Sequence, residues 1–234
     1  MSQHPTAILT DIEGTTSAIA FVKDRLFPFA SAALDGFLAE RVKDPVVAAL
    51  LAEVAALAPD QPPAETLRGW MAADAKVTPL KTLQGMIWQE GFFDGRLKGH
   101  LWPDVAPCLR AWAEAGVGLH VYSSGSVAAQ KLLFGHSEAG DLTPLLGGFF
   151  DTRVGGKREA ASYTAIAAAL GLPPGEILFL SDIAEECDAA TAAGMRACRL
   201  VRVADGTLPG SRHAEVPDFF AVSEAFGLPK PAPT

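Results

Sequence analysis

The sequence predicts an α/β protein: a parallel sheet interrupted, directly after its first strand, by a helical insertion. Three observations predict it. From about residue 103 onward, short and almost continuously apolar runs alternate with helical segments. That alternation means a parallel sheet covered on both faces. Between residues 17 and 102 the apolar spacing is helical and no strand is evident. Each strand-like run ends in a polar cluster, and ligands of such sheets bind at the carboxyl ends of the strands.

The elements follow in order. Residues 6–12 form a brief apolar run bounded by turn residues, a buried strand. From Phe21 to about Val42, Leu26, Ala30, Ala33, Leu34, Phe37 and Leu38 recur at helical spacing, with Pro28 kinking the helix or opening its second part. "DPVVAALLAEVAAL" is a helix with Pro45 in its first turn, and "AETLRGWMAADAK" and "PLKTLQGMIWQEGF" are two more. A helix over 105–115 then leads into the strand of "GLHVYSSGS" and the helix "VAAQKLLFG". "GFFDTRV" is a short strand and "REAASYTAIAAALGL" a helix closed by Gly171. "GEILFLSD", "EECDAATAAG" and "MRACRLV" are strand, helix and strand. The predicted domains are a discontinuous α/β core of residues 1–16 and 103–225, a helical cap of 17–102, and a proline-rich mobile tail of 226–234.

Of the 234 residues, 49% are apolar, which suffices for a full core and excludes global disorder. The net charge of −8 speaks against a nucleic-acid or anionic-membrane partner, and any phosphate site needs local positive potential. Cys108, Cys187 and Cys198 have no zinc-ligand spacing, and an odd, sparse count fits a reducing compartment. The N-terminus has no basic or signal-like stretch and no apolar run is long enough to span a bilayer. The expectation is a cytoplasmic protein. No dimerisation helix is evident, so a monomer is expected.

The strand ends carry the candidate chemistry. "ILTDIEGTTS" places Asp11 and Glu13 two residues apart, pointing the same way from an extended chain. Carboxylates there need compensation, and a magnesium ion with its preference for hard oxygens is one compensator. A phosphate beside that metal would occupy the hydroxyls of Thr15, Thr16 and Ser17. An ordinary turn fits the same residues. Ser123 and Ser124 suit a phosphate or a helix cap. Lys157 and Arg158 precede a helix, where the dipole disfavours cations; phosphate neutralisation would explain them, as would solvation at the surface. Asp182, followed by Glu185 and Glu186, suits a second metal carboxylate or a helix cap with an acidic first turn. Taken together, Asp-x-Glu, Ser, Lys and Asp stand in order at the mouths of successive strands or the helices beside them, which favours one site over four coincidences. The five histidines are scattered, and His120 lies inside a strand, a structural position.

These stretches resemble the haloacid dehalogenase superfamily in its phosphatase branch. "TDIEGTT", "VYSSG", "GGKREAASY" and "FLSDIAEE" are similar to its four motifs, and the insertion to its mobile cap. "DIEGTTSAIAFVKDRLFPFA", "LKTLQGMIWQEGF", "VYSSGSVAAQKLLFGHS", "FFDT" and "SDIAEECDAA" narrow the likeness to the enolase-phosphatases of methionine salvage, over about Ala7 to Leu200. Most superfamily phosphatases have aspartate where Glu13 stands; glutamate is typical of the narrower branch.

The resemblance implies a Rossmann-like haloacid dehalogenase core and a small phosphate substrate, 2,3-diketo-5-methylthiopentyl-1-phosphate, enolised and then dephosphorylated. It implies Asp11 as nucleophile and Glu13 as acid and base. Ser123, Ser124 and Lys157 would bind phosphate, and Glu186 would orient Lys157 or a metal water. Magnesium would be held by Asp11, the Glu13 carbonyl and Asp182. Phe21, Gln84 and Trp88 of the cap would reach the methylthio end or simply fill the cap's own core. The alternatives are a related phosphatase acting on another small phosphate ester, a phospho-receiver module and a non-catalytic relative. A receiver's phosphorylated aspartate lies in mid-chain, and a non-catalytic relative would be expected to lose Asp11 or Lys157.

Overall fold

The computed structural model describes residues 4–210 and 212–232. The chain divides into two compact units: residues up to Ile19 together with those from Gly99 onward, and the helical segment Ala20–Lys98.

The first unit holds six strands: β1 (Ala7–Thr10), β2 (Gly118–Tyr122), β3 (Gly148–Phe150), β4 (Ile177–Ser181), β5 (Arg196–Leu200) and β6 (Ala214–Val216). All pair in parallel in the order β3-β2-β1-β4-β5-β6. β1 lies between β2 and β4, with Ala7 opposite both Gly118 and Ile177. The connection order reverses there, which makes the carboxyl end of β1 the expected ligand position. On one face Leu9, Tyr122 and Phe179 pack with Tyr163, Ile166 and Cys187. The latter three come from the helices Ala160–Leu170 and Ala184–Ala192. Alternation sends Ile8, Val121 and Leu178 to the other face, all buried.

The second unit packs four helices around its own core. The helical run opens with α1 (Ile19–Phe21), a π turn (Val22–Leu26) and α2 (Phe27–Glu40). The Phe27 N–H reaches back five residues to the Val22 carbonyl. Pro28, which has no N–H, follows at once and opens α2, the second of its two predicted effects. Next come α3 (Pro45–Leu57), α4 (Pro63–Ala72) and α5 (Thr78–Phe93). Asp44 caps α3 by accepting the Val46 N–H at 2.9 Å. The sequence extends α4 to residue 76, but it stops at Ala72 because Asp74 turns left-handed at φ +48°. Ala30, Leu34, Val47, Leu67, Leu83 and Ile87 are almost wholly buried. Gln84 is buried, and the Trp88 indole donates to the Leu26 carbonyl at 2.8 Å.

The remaining helices belong to the first unit: α6 (Val105–Glu114), α7 (Val127–Gly135), α8 (Ala160–Leu170), α9 (Ala184–Ala192) and α10 (Phe219–Phe226). Gly171 ends α8 at φ +67°, as its position in the sequence suggests. The unit boundaries, 19/20 and 98/99, lie inside the predicted cap of 17–102. Hydrogen bonds hold 17–19 and 99–102 to the sheet side: Ala18 N–H to His100 Nδ1 (3.1 Å), Ile19 N–H to Asp205 (3.0 Å) and Trp102 N–H to the Thr16 carbonyl (3.0 Å). The predicted tail begins too early, since Phe226 closes α10 and Leu228 is buried with its N–H on the Ser223 carbonyl. Its last two residues, Pro233 and Thr234, lie outside the described residues. No helix among the described residues is long and apolar enough to cross a membrane.

His120 is structural. It is buried in β2 against Gly148, where a Cβ would come within 2.9 Å of its Nδ1. Burial lowers its pKa below the ordinary 6.5. Below that pH the unfolded chain therefore binds more protons than the fold, and stability falls with acidification. In urea unfolding, His120→Gln is expected to flatten the decline in stability between about pH 6.5 and 5; an unchanged slope would count against a neutral, buried His120.

Candidate active site

The carboxyl ends of β1, β2 and β4 open into a cavity of about 380 Å³. Its floor is buried and carries Asp11, Ser123, Lys157, Asp182 and Glu186. Its rim is exposed and carries Glu13, Ser124, Thr152 and Arg158. All seven residues singled out from the sequence as site residues thus line one space.

The backbone after β1 is tightly fixed. The Asp11 N–H donates to the Leu180 carbonyl at 2.9 Å, which extends the sheet ladder by one residue. The Ile12 carbonyl then gathers the N–H groups of Thr15, Thr16 and Ser17 at 3.2, 3.0 and 2.9 Å. This loop overturns the expectation that a phosphate takes the three hydroxyls. Thr15 Oγ1 accepts the Asp182 N–H at 3.0 Å, and Thr16 Oγ1 donates to the Asp11 carbonyl at 3.2 Å. Ser17 Oγ lies 3.4 Å from His100 Nδ1. All three are buried, and they close the loop rather than face a ligand.

Lys157 joins two acids. Its Nζ lies 2.6 Å from Asp11 Oδ1 and 2.7 Å from Glu186 Oε2. Burial opposes the ammonium, but Asp11 and then Glu186 more than offset it, and the pKa rises above the ordinary lysine value. Glu186 also accepts from Ser181 Oγ at 2.8 Å. Burial, followed by the Asp11 charge, holds its carboxyl above the ordinary range. The lysine-bearing loop is pinned through its carbonyls. Tyr122 Oη donates to Gly155 (3.0 Å), Ser162 Oγ to Gly156 (2.8 Å) and Tyr163 Oη to Lys157 (2.6 Å).

Asp182 does not cap α9: the cap position is Ile183 and no side chain fills the role. Its carboxylate sits against Gly14, where a Cβ would come within 2.5 Å of Oδ2 and where φ is +73°. Only glycine meets both conditions. Asp182 Oδ1 is buried without a hydrogen-bond partner among the described residues. Burial, followed by the Asp11 charge, pushes the carboxyl up to about 7. Buried, unpartnered hard oxygen beside a second carboxylate suits a divalent cation. No group of three acidic, histidine or cysteine side chains with metal-holding geometry occurs among the described residues.

Sequence reasoning missed several supports of the site. The chain has only two tyrosines, and both anchor the Lys157 loop; that scarcity was the available signal. Gln130 Nε2 donates to the Gly125 and Phe150 carbonyls, each at 2.8 Å, and so holds the Ser123–Gly125 turn beside β3. Arg202 is buried and pairs with Asp104 through two contacts of 2.9 and 2.7 Å. It also donates to the Thr15 carbonyl at 2.9 Å, which braces the loop after β1. Nothing in local spacing links Asp104, Arg202 and Thr15.

Residues 5–194 match the family model of the haloacid dehalogenase-like hydrolases. The chain is 60% identical to the enolase-phosphatase E1 of Granulibacter bethesdensis, over 97% of this chain and 99% of that one. It is 53% identical to the enolase-phosphatase E1 of Acidiphilium cryptum, over 99% and 100%. Among solved structures it is similar to the UTR4 protein of Saccharomyces cerevisiae, with 30% identity, a TM-score of 0.78 and coverage of 92% and 98%.

The buried Arg202–Asp104 pair contrasts with the exposed pair Arg68–Asp35. Arg202→Met leaves Asp104 charged and buried and is expected to lower unfolding stability by about 3–5 kcal/mol. Arg68→Met is expected to change it by less than about 1 kcal/mol. Chemical denaturation of both variants checks the contrast, and equal losses would refute it.

Proposed function

The chain belongs to the haloacid dehalogenase-like hydrolases, and from that premise we propose that it is a magnesium-dependent enolase-phosphatase of methionine salvage. It converts 2,3-diketo-5-methylthiopentyl-1-phosphate to 1,2-dihydroxy-3-keto-5-methylthiopentene and phosphate. The observation that carries the reading is the Lys157 ammonium held between Asp11 and Glu186 at the floor of the cavity. The near-full-length identity to relatives named enolase-phosphatase E1 supports the substrate.

Asp11 attacks phosphorus, and the bond from phosphorus to the substrate oxygen breaks as the aspartyl-phosphate forms. Glu13, at the rim of the same cavity, gives its proton to the departing oxygen. The resulting carboxylate then takes a proton from the water that attacks the aspartyl-phosphate, which releases phosphate and restores Asp11. Ser123 and Ser124 bind the phosphoryl oxygens. Lys157 neutralises their charge and, held by Glu186, keeps Asp11 in place. Asp11, the Glu13 carbonyl and Asp182 would hold the magnesium ion, in keeping with the unpartnered Asp182 Oδ1. Once bound, the ion stabilises negative charge developing on oxygen in both half-reactions. For the enolisation, Glu13, exposed at the cavity rim, is the candidate base.

Two outcomes test this. With the diketo-phosphate and magnesium, enediol absorbance and free phosphate are expected to rise together, and Asp11→Asn to lower both by about 10³-fold or more. Phosphate release from sugar phosphates with no response to the diketo-phosphate would refute the substrate. Chelation is expected to abolish turnover and magnesium to restore it; full activity in excess chelator would refute the metal.

A further inference from the structure

Three cations lie between β3 and α8: Arg153, Lys157 and Arg158. The first two are spoken for. Arg153 Nε contacts Asp151 at 3.0 and 3.1 Å, and Lys157 bridges Asp11 and Glu186. Arg158 is exposed at the cavity rim, and its guanidinium makes no hydrogen bond, ion pair or ring contact with any described residue. The neighbouring acid does not neutralise it, because the Glu159 side chain folds back over Gly156, within 2.9 Å of where a Cβ would stand. Arg158 also sits just ahead of the α8 N-terminus, where the helix dipole disfavours a cation. For Lys157 the two carboxylates resolve that conflict. For Arg158 no described residue does.

The cavity supplies a reason. Asp11, Glu13, Asp182 and Glu186 bring four acids to it, against Lys157 and Arg158. Phosphorus must lie over Asp11 at the buried floor, so the leaving group extends toward the exposed rim. The rim carries one acid, Glu13, and one cation, Arg158. Enolisation of a dicarbonyl puts negative charge on a leaving-group oxygen at the rim, away from Lys157, which is engaged at the floor by Asp11 and Glu186. A guanidinium offers two parallel donors to such oxygens.

We propose that Arg158 binds a carbonyl oxygen of the leaving group and stabilises the enolate that forms there, which makes it a specificity residue for α-dicarbonyl phosphates. The proposal rests on the enolase-phosphatase reading. It is tested with Arg158→Ala and Arg158→Lys on two substrates: the diketo-phosphate, and phenyl phosphate, whose leaving group has no carbonyl oxygen. Inhibition by inorganic phosphate is measured alongside. The alanine variant is expected to lose about 10- to 100-fold in kcat/KM on the diketo-phosphate, with part of the loss in kcat, and the lysine variant to recover part of it. Phenyl phosphate turnover and phosphate inhibition are expected to stay within about 3-fold. Equal losses on both substrates, or weaker phosphate inhibition, would overturn the assignment by placing Arg158 on the phosphate instead. Unchanged kinetics on both would overturn it as a surface arginine. A wild-type protein that turns over phenyl phosphate but not the diketo-phosphate would fail the underlying reading itself, whatever the variants do.

Discussion

A lysine buried between two carboxylates is the constraint on which the site depends. Neither charge type is comfortable away from water, and removing one partner from such a group leaves an uncompensated buried charge. Lys157 is held in register with Asp11 by main-chain anchors at three consecutive carbonyls, supplied by Tyr122, Ser162 and Tyr163. Burial raises the pKa values of both tyrosines, so they remain neutral donors. The placement of a single ammonium thus draws on β2, α8 and α9 together.

The β1 side is organised by the same logic with different means. Here the loop is closed by backbone donors converging on the Ile12 carbonyl, and Gly14 makes room for Asp182. Arg202 and Asp104 brace it from below. The second unit contributes an independent hydrophobic core whose helices begin at prolines and a capping aspartate.

Much of the fold was legible because apolar strands read as continuous runs and the helices as period-3.6 patterns. Of the candidate site residues, Asp11, Ser123 and Asp182 were legible because they follow those strands directly. What escaped has a common cause. β6 is three residues long and α10 two turns, too short for periodicity to register. The Asp104–Arg202–Thr15 brace joins positions 98 and 187 residues apart, which local pattern cannot connect. The hydroxyls of Thr15, Thr16 and Ser17 were visible, but their direction was not: a threonine facing a phosphate and one facing its own backbone look the same in sequence. Asp182 was the converse case, where capping and metal ligation were equally good on paper and the position of Ile183 decided against capping.

The order of the sheet has one more effect. Its two outermost strands, β3 and β6, are its shortest, at three residues each. On one, Lys131 lies over the Phe149 ring; on the other, Glu215 is tied to Arg199. A long open edge would be a template for strands of other molecules, and short edges guarded by charge deny them that purchase. The longer strands β1, β2, β4 and β5 are confined to the middle, so the arrangement that centres the candidate site also leaves short edges for another chain to pair with.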